Sequence, residues 1–399
     1  MSNIIIRYGK SKYLLINKEM KSYIKKSIKT VICKYHTFRQ KGYYKKLLRM
    51  NNIPNRYVQG EDEWVRKWSV FGVKADPIYY RLFSHYIGKD VNIVPEDICH
   101  DVIEPILDPF RYTKFYNDKN MFDRLMPKGY LAKTLLRKMN GFYYDACYER
   151  VDMDDAALRK ILADSDVDKL IIKPSVEGSS GVGVRCFVRK GDKGLFIMYE
   201  GTEELCLNYL ETKYGNDFIM QEFLEQHESI SHFCSTSVNT LRLTLYRSVK
   251  TDECVVPSAI MRIGNEGSVV DNAHAGGCYV GIDVNTGKLK NVVLDQYGRK
   301  RSTFNSVDFN VQQQIPEELW NKVVAFAKSV GKNVFHHRLL ALDLMIDKDG
   351  NPRLVEFNVS YYSMWLFQFT VGSAFGEYTD EIIDYCKERL STLEYQLLM

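Results

Sequence analysis

Residues 17–36 carry a helical pattern. Met20, Ile24, Ile28, Val31 and Tyr35 fall on one stripe at 100° per residue, and Lys18, Lys21, Lys25 and Lys29 lie opposite. A second, shorter basic segment runs from Tyr43 to Met50. Asn51, Asn52, Pro54 and Asn55 then mark a break. Residues 60–105, rich in Trp and Tyr, read as mainly helical. Asn117 and Asp118 predict the cap of a helix from Lys119 to Met126, stopped by Pro127.

From about residue 167 the period shortens. DKLIIKPS, VGVRCFV, FIMYEG and FIMQEFL read as strands, followed by NTLRLTLYRS and VVPSAIMRI. A helix is expected over 316–330, with Pro316 at its start and Gly331 at its end. LLALDLMID and NPRLVEFNVS flank the turn Asp347-Lys-Asp-Gly350 and read as a hairpin. A final helix is expected from Tyr378 to Leu398.

Composition narrows the class. The 399 residues suggest two or three domains or lobes, and 45% apolar with 26% charged residues is ordinary for a globular chain. No run of 18 uncharged apolar residues is present, so no transmembrane helix is expected, and the N-terminus lacks the pattern of a signal peptide. The nine cysteines are scattered, odd in number and without a CxxC pair. They argue for a reducing cytoplasm and against a disulfide frame or zinc site. The net charge of +5 conceals a division: residues 1–50 carry a net +13 and the remainder a net −8. With no recognition module and an acidic main body, nucleic acid is not an expected partner.

Several motifs carry chemistry. In Lys173-Pro-Ser-Val-Glu-Gly-Ser-Ser-Gly-Val-Gly-Val a strand delivers a lysine to a loop. Gly178, Ser179, Ser180, Gly181 and Gly183 there let backbone N–H groups approach a phosphate. A plain hairpin turn is the competing reading. Asp343 is expected opposite Glu356 across the hairpin, to within one residue, and Asn358 projects from the same face as Glu356. These hard oxygen donors suit a Mg²⁺ ion that also holds substrate phosphates, against the alternative of a polar surface face. Arg242, in SVNTLR, sits in an apolar strand and needs an anion. A transferring phosphate and a structural carboxylate both fit. The segment MQEFLEQH and the loop Asp271-Asn-Ala-His-Ala-Gly-Gly277 are weaker signals: a strand end, and a loop that either covers a substrate or merely lies at the surface.

Together and in this order, Lys119, the Lys173 glycine loop, QEFLEQH, NTLR and DLMIDKDGNPRLVEFN resemble the ATP-grasp superfamily. NDKNMFDRL, KPSVEGSSGVGV, SVNTLRLTLYR and NAHAGG resemble in particular the sugar-transfer-associated ATP-grasp proteins of bacterial surface-polysaccharide gene clusters. The resemblance spans about residues 110–370. It implies an α+β fold, two lobes clasping ATP, preceded here by a helical, basic N-terminal extension. The expected division is 1–105 for that region, 106–220 for the first lobe and 221–399 for the second. By motif position, Lys119, Lys173 and the 178–183 loop would hold phosphates. Glu222, Phe223 and Leu224 would line the adenine, and Glu225 would take the ribose. Asp343, Glu356 and Asn358 would bind Mg²⁺. Arg242, with Lys173, would stabilise the transferred phosphoryl group, and Asn239, Asn272, His274, Gly276 and Gly277 would form a substrate loop. ATP-grasp ligases commonly begin with an open α/β domain, which this chain does not show.

The implied reaction is ATP-dependent carboxylate–amine ligation through an acyl phosphate, joining an amine such as an amino acid to a uronic-acid sugar. A kinase on the same fold, and a glycan- or membrane-binding accessory protein, are the alternatives. The amphipathic basic residues 17–50 suggest either a peripheral contact with an anionic membrane or a lipid-linked glycan at the inner membrane face, or a solvated helix docked on the body by its apolar stripe.

Overall fold

A computed structural model describes residues 4–8, 12–16, 38–176, 181–191, 194–268 and 270–393. The helix expected over 17–36 and the loop residues Gly178, Ser179 and Ser180 lie outside them.

The larger sheet has seven antiparallel strands. From one edge to the other they are Lys300–Arg301, Leu289–Leu294, Cys278–Ile282, Cys254–Ile263, Leu241–Arg247, Leu339–Ile346 and Pro352–Asn358. Alternation along each strand gives its two faces different work. Leu241, Leu243, Leu245, Leu340, Leu342 and Leu344 pack against Trp320, Val323, Ala327 and Val330 of the helix Glu317–Gly331. That helix starts at Pro316 as expected. On the other face, Tyr246, Ile260, Tyr279 and Leu339 join a second core. Further along the same face stand Arg242, Arg262, Asp343, Glu356 and Asn358.

The smaller sheet has six antiparallel strands, in the order Phe142–Tyr144, Thr134–Met139, Phe218–Glu222, Lys169–Pro174, Arg185–Arg189 and Phe196–Met198. Leu170, Ile172, Phe187 and Met220 pack with Leu158 and Leu162 of the helix Asp155–Asp164 and with Leu210 of the helix Leu207–Tyr214. The sheets meet at Gln226, which bridges to Asp347, and at the His227 N–H, which donates to the Ile346 carbonyl at 3.0 Å. Two α+β lobes thus face a common cleft, the ATP-grasp arrangement the resemblance implies.

The N-terminal region departs from a purely helical reading. Ile4–Tyr8 and Lys12–Ile16 pair as an antiparallel hairpin, with Ile4 opposite Ile16. Apolar runs on either side of Gly9 favour strands. Helices follow at 38–50, Glu61–Trp68 and Ile78–Ile87, and Glu96–Leu107 is helical with a π-turn at Cys99–Ile103. Tyr44, Trp64, Trp68, Tyr79 and Phe83 share one core with Tyr246, Phe367 and Ile382. This region therefore covers the sheet face that carries the charged cluster. Of the helix expected over 378–398, residues 394–398 lie outside the described residues; before them the chain is helical over Thr379–Glu388 and makes a 3₁₀ turn at Leu390–Thr392. Thr392 Oγ1 donates to the Arg389 carbonyl at 2.8 Å, a local bond that competes with helix continuation.

Candidate active site

The turn Asp347–Gly350 fixes the register of the last two strands, so Asp343 lies opposite Glu356 and Ala341 opposite Asn358. A bulge follows Asp343. On its other side Asp343 pairs with Arg242. Arg242, Arg262, Asp343, Glu356 and Asn358 line one cavity of about 380 Å³, with Lys119 and Gly181 contributed by the smaller-sheet side.

Asp343 is 3% exposed and accepts from both arginines. Arg242 Nε reaches Oδ1 and Nη2 reaches Oδ2, each at 2.7 Å, and Arg262 Nη1 reaches Oδ2 at 3.3 Å. Burial pushes the Asp343 carboxyl up, but Arg242 and Arg262 outweigh it and hold the group below the ordinary carboxylate range. Arg262 Nη2 also donates to Asp271 at 2.8 Å, and Asp271 accepts from the Thr240 N–H at 3.0 Å. Of the two readings of Arg242, the structural carboxylate is the one observed. It has its structural carboxylate, and its guanidinium still lines the cavity, with N–H groups left for an incoming anion.

Lys119 is positioned by the Asp118 side chain, which accepts from the Asn120 N–H and opens the turn Lys119–Met121, followed by the helix Phe122–Leu125. Its own N–H donates to the Ser175 carbonyl at 2.9 Å, at the root of the glycine loop. Its ammonium lies 2.9 Å from Glu356. Lys173, next to last in the strand Lys169–Pro174, donates its Nζ to the Val355 carbonyl of the other sheet at 3.5 Å. Burial, then repulsion from Lys119, lower its pKa to about 8. Such a lysine gains most from an added anion. Gly181 (φ +75) and Gly183 (φ +79) hold left-handed backbone, and a Cβ at Gly183 would lie 2.8 Å from Pro174 Cγ.

The other expected residues are placed as follows. Glu222 accepts from the Lys133 N–H at 2.7 Å, Phe223 donates its N–H to Lys169 at 2.9 Å and stacks under the Lys169 ammonium, and Glu225 pairs with Lys348 at 3.2 Å. They sit at the junction of the lobes with Leu224 between them, apart from the 380 Å³ cavity. Asn272 and His274 line the cavity, and the Asn272 side chain accepts from the His274 N–H at 3.0 Å. Gly276 (φ +91) and Gly277 close this loop, with the Gly277 N–H on the Asn272 carbonyl at 3.1 Å. Asn239 is not brought to the wall. It is fully buried, and its carboxamide ties the Ile230 and Cys234 carbonyls at 3.0 Å.

The sequence reading did not single out Arg262, Tyr361 or Trp365, all of which line the cavity. Arg262 was open to the reasoning applied to Arg242, since it too is an arginine in an apolar β run.

Asp343, Glu356 and Asn358 are oxygen donors of the class Mg²⁺ takes, with both Asp343 oxygens accepting from Arg242 and Glu356 facing Lys119. Among the described residues no three His, Cys, Asp or Glu side chains converge. The set is two carboxylates and one carboxamide, and Mg²⁺ is commonly bound by one or two carboxylates plus substrate phosphates and water. Two cations in the same wall, Lys119 and Arg242, would meet those phosphates.

No curated protein matches the chain. Among solved structures it is similar to an L-amino acid ligase from Bacillus licheniformis (12% identity, 65% of this chain and 47% of that one, TM-score 0.33). It is also similar to a D-alanine–D-alanine ligase from Bacillus anthracis (14%, 69% and 69%, 0.36) and to an N5-carboxyaminoimidazole ribonucleotide synthetase from Thermotoga maritima (12%, 69% and 52%, 0.37). The chain spans about half the length of the first and third of these enzymes. No helix among the described residues is long and apolar enough to cross a membrane. Residues 109–382, more than half of the sequence, match the sugar-transfer associated ATP-grasp family, and the chain belongs to that family.

Proposed function

We propose that this protein is an ATP-dependent carboxylate–amine ligase whose acceptor is a uronic-acid sugar and whose amine is an amino acid or similar compound, in surface-polysaccharide synthesis. The observation that carries this reading is the convergence of three cations, Lys119, Arg242 and Arg262, with the oxygen donors Asp343, Glu356 and Asn358 in one cavity between two lobes.

Lys119 and Lys173 would neutralise nucleotide phosphates, and the glycine loop at 178–183 would close over them. Glu222, Phe223, Leu224 and Glu225, at the junction of the lobes, would receive the nucleoside. Asp343, Glu356 and Asn358 would hold Mg²⁺, which when bound supplies charge neutralisation of the phosphates. Arg242 and Arg262 would orient the acceptor carboxylate and stabilise the charge spread over the transferring phosphoryl oxygens. Positioned cations do most of the work in such transfers. The acceptor carboxylate takes the γ-phosphoryl group and ADP leaves. The amine then displaces phosphate and an amide forms. No protein nucleophile is needed. Asn272 and His274, which line the cavity, would face the acceptor, with Gly276 and Gly277 closing their loop.

The test is ADP release with Mg·ATP, D-glucuronate or D-galacturonate, and an amino-acid mixture, comparing wild type with Glu356→Gln. Glu356→Gln is expected to abolish ADP formation while leaving the protein folded. Full activity in that variant would refute the assignment.

A further inference from the structure

Just past the donor Asn358 the chain enters a segment that the nucleotide and metal roles leave unused. Tyr361 (φ +53) and Ser363 (φ +57) both hold left-handed backbone, and both line the cavity. Left-handed φ is uncommon in residues other than glycine and persists where the surroundings enforce it.

The enforcement comes from the N-terminal region. The Tyr361 N–H donates to Glu104 Oε2 at 3.0 Å. Glu104 Oε1 holds His100 Nδ1 at 2.8 Å, His100 Nε2 lies 3.4 Å from Glu96, and Glu96 accepts from the Tyr44 hydroxyl. The next residue, Tyr362, is fully buried, and its hydroxyl donates to Asp108 and lies 2.9 Å from the Leu339 carbonyl. Tyr361 is therefore clamped by its backbone and by its neighbour, yet its own side chain is left 62% exposed at the cavity wall. The His100 ring lies beside it, centroid to centroid 5.1 Å. A large aromatic presented at such backbone expense is placed for contact, not for packing.

We propose that Tyr361 is the platform for the ring of a pyranose carboxylate, held in place by the Tyr44–Glu96–His100–Glu104 chain of the N-terminal region. This rests on the ligase reading above and names the residue that selects its acceptor. A pyranose has an apolar face of C–H bonds whose partial positive charge matches the negative face of an aromatic ring. Its rim of hydroxyls needs polar partners, and Asn117, Asn272, His274 and Ser363 line the same wall. A carboxylate on the ring would reach Arg262 or Arg242. A cavity of about 380 Å³ has room for a hexuronate beside a phosphoryl group. Glu104 and His100 act through Tyr361 and are positioning residues.

The experiment is calorimetric titration of full-length protein, saturated with Mg²⁺ and a non-hydrolysable ATP analogue, with D-glucuronate, D-galacturonate, D-glucose and acetate. A uronate is expected to bind more tightly than glucose or acetate. In Tyr361→Ala its affinity falls by about tenfold, while Tyr361→Phe, which keeps the ring face, stays close to wild type. Nucleotide affinity, measured in the same samples, reports that each variant is folded. Glu104→Gln weakens uronate binding and leaves nucleotide binding in place, a split that a general folding defect would not give. Equal uronate affinity in Tyr361→Ala, or a wild type that binds nucleotide but neither uronate, overturns the platform and leaves the ATP site standing. Failure of wild type to bind the nucleotide overturns the ligase reading, and the platform falls with it.

Discussion

Replacing Asp343 by Asn keeps the shape of the side chain and removes the charge that holds two guanidinium groups. Asp343 is 3% exposed, and the side chains of Arg242 and Arg262 are 13% and 16% exposed. Three hydrogen bonds, two of 2.7 Å and one of 3.3 Å, lose their charged acceptor. Breaking a buried ion pair by removing one partner costs about 3–5 kcal/mol. Both arginines border a water-accessible cavity, so the lower figure, about 3 kcal/mol, applies. At roughly 1.2 °C per kcal/mol for a chain of this length, the melting temperature of the nucleotide-free protein falls by about 4 °C. A double-mutant cycle with Arg242→Met isolates the pair, and the two changes together cost about 2 kcal/mol less than their sum. In the absence of Mg²⁺, adding ADP narrows the gap between Asp343→Asn and wild type, because phosphate oxygens give the stranded guanidinium groups a new partner. Scanning calorimetry with and without ADP reads both effects. Strict additivity in the cycle, or a variant that melts with wild type, would show that Asp343 and Arg242 are not coupled and would remove the account of the clamp.

Lys173, with its pKa lowered to about 8, is largely protonated at pH 7 and neutral by pH 9.5 in the free protein. Bound phosphates favour the ammonium, so ATP affinity falls as pH rises above 8, by up to about tenfold per unit, and binding near pH 8.5 takes up a proton, measurable by calorimetry in buffers of different ionisation enthalpy. The folded state prefers the neutral amine, so this lysine opposes folding fully below pH 8 and stops doing so as pH passes the ordinary 10.5. Lys173→Met accordingly melts higher than wild type at pH 7 without ligand while binding ATP more weakly. Tyr362→Phe strips a hydroxyl donor from the buried Asp108 carboxylate, leaving it the Arg338 and Leu339 N–H groups, and costs about 1–3 kcal/mol in urea denaturation. Gly183→Ala forces a left-handed alanine whose Cβ meets Pro174, and weakens ATP binding more than it lowers the melting temperature.

What the sequence made legible was local. The pairing of Asp343 with Glu356 follows from a four-residue turn, and the structure has that register. The Asp118 cap and the start of the helix at Pro316 are equally short-range signals, and both are present. What escaped was set by distant partners. Arg262 became visible as a site residue only when the neighbouring strand placed it over Asp343 and Asp271. The N-terminal helices are rich in Trp and Tyr, but nothing in their periodicity says that they cover the same sheet face as the charged cluster. One signal was there to be found: Glu96, His100 and Glu104 are spaced at four residues, which puts both carboxylates on the same side of the turn as the imidazole. Burial pushes His100 down, and Glu104 and Glu96 outweigh it and hold the ring well above its usual range. The expected C-terminal helix breaks after Glu388 for the opposite reason, since its apolar pattern continues beyond the point where Thr392 bonds back to the Arg389 carbonyl.

The central claim is that a carboxylate oxygen receives the γ-phosphoryl group and is then lost with it. The most direct measurement uses a uronate labelled with ¹⁸O in its carboxylate, incubated with the enzyme, Mg·ATP and the amino-acid mixture, with the inorganic phosphate read by the isotope shift in its ³¹P resonance. The account predicts ¹⁸O in the released phosphate together with ADP and an amide product. Phosphate free of label, or a stable phosphoester on a sugar hydroxyl with no free phosphate, would contradict ligation and leave a kinase on the same fold.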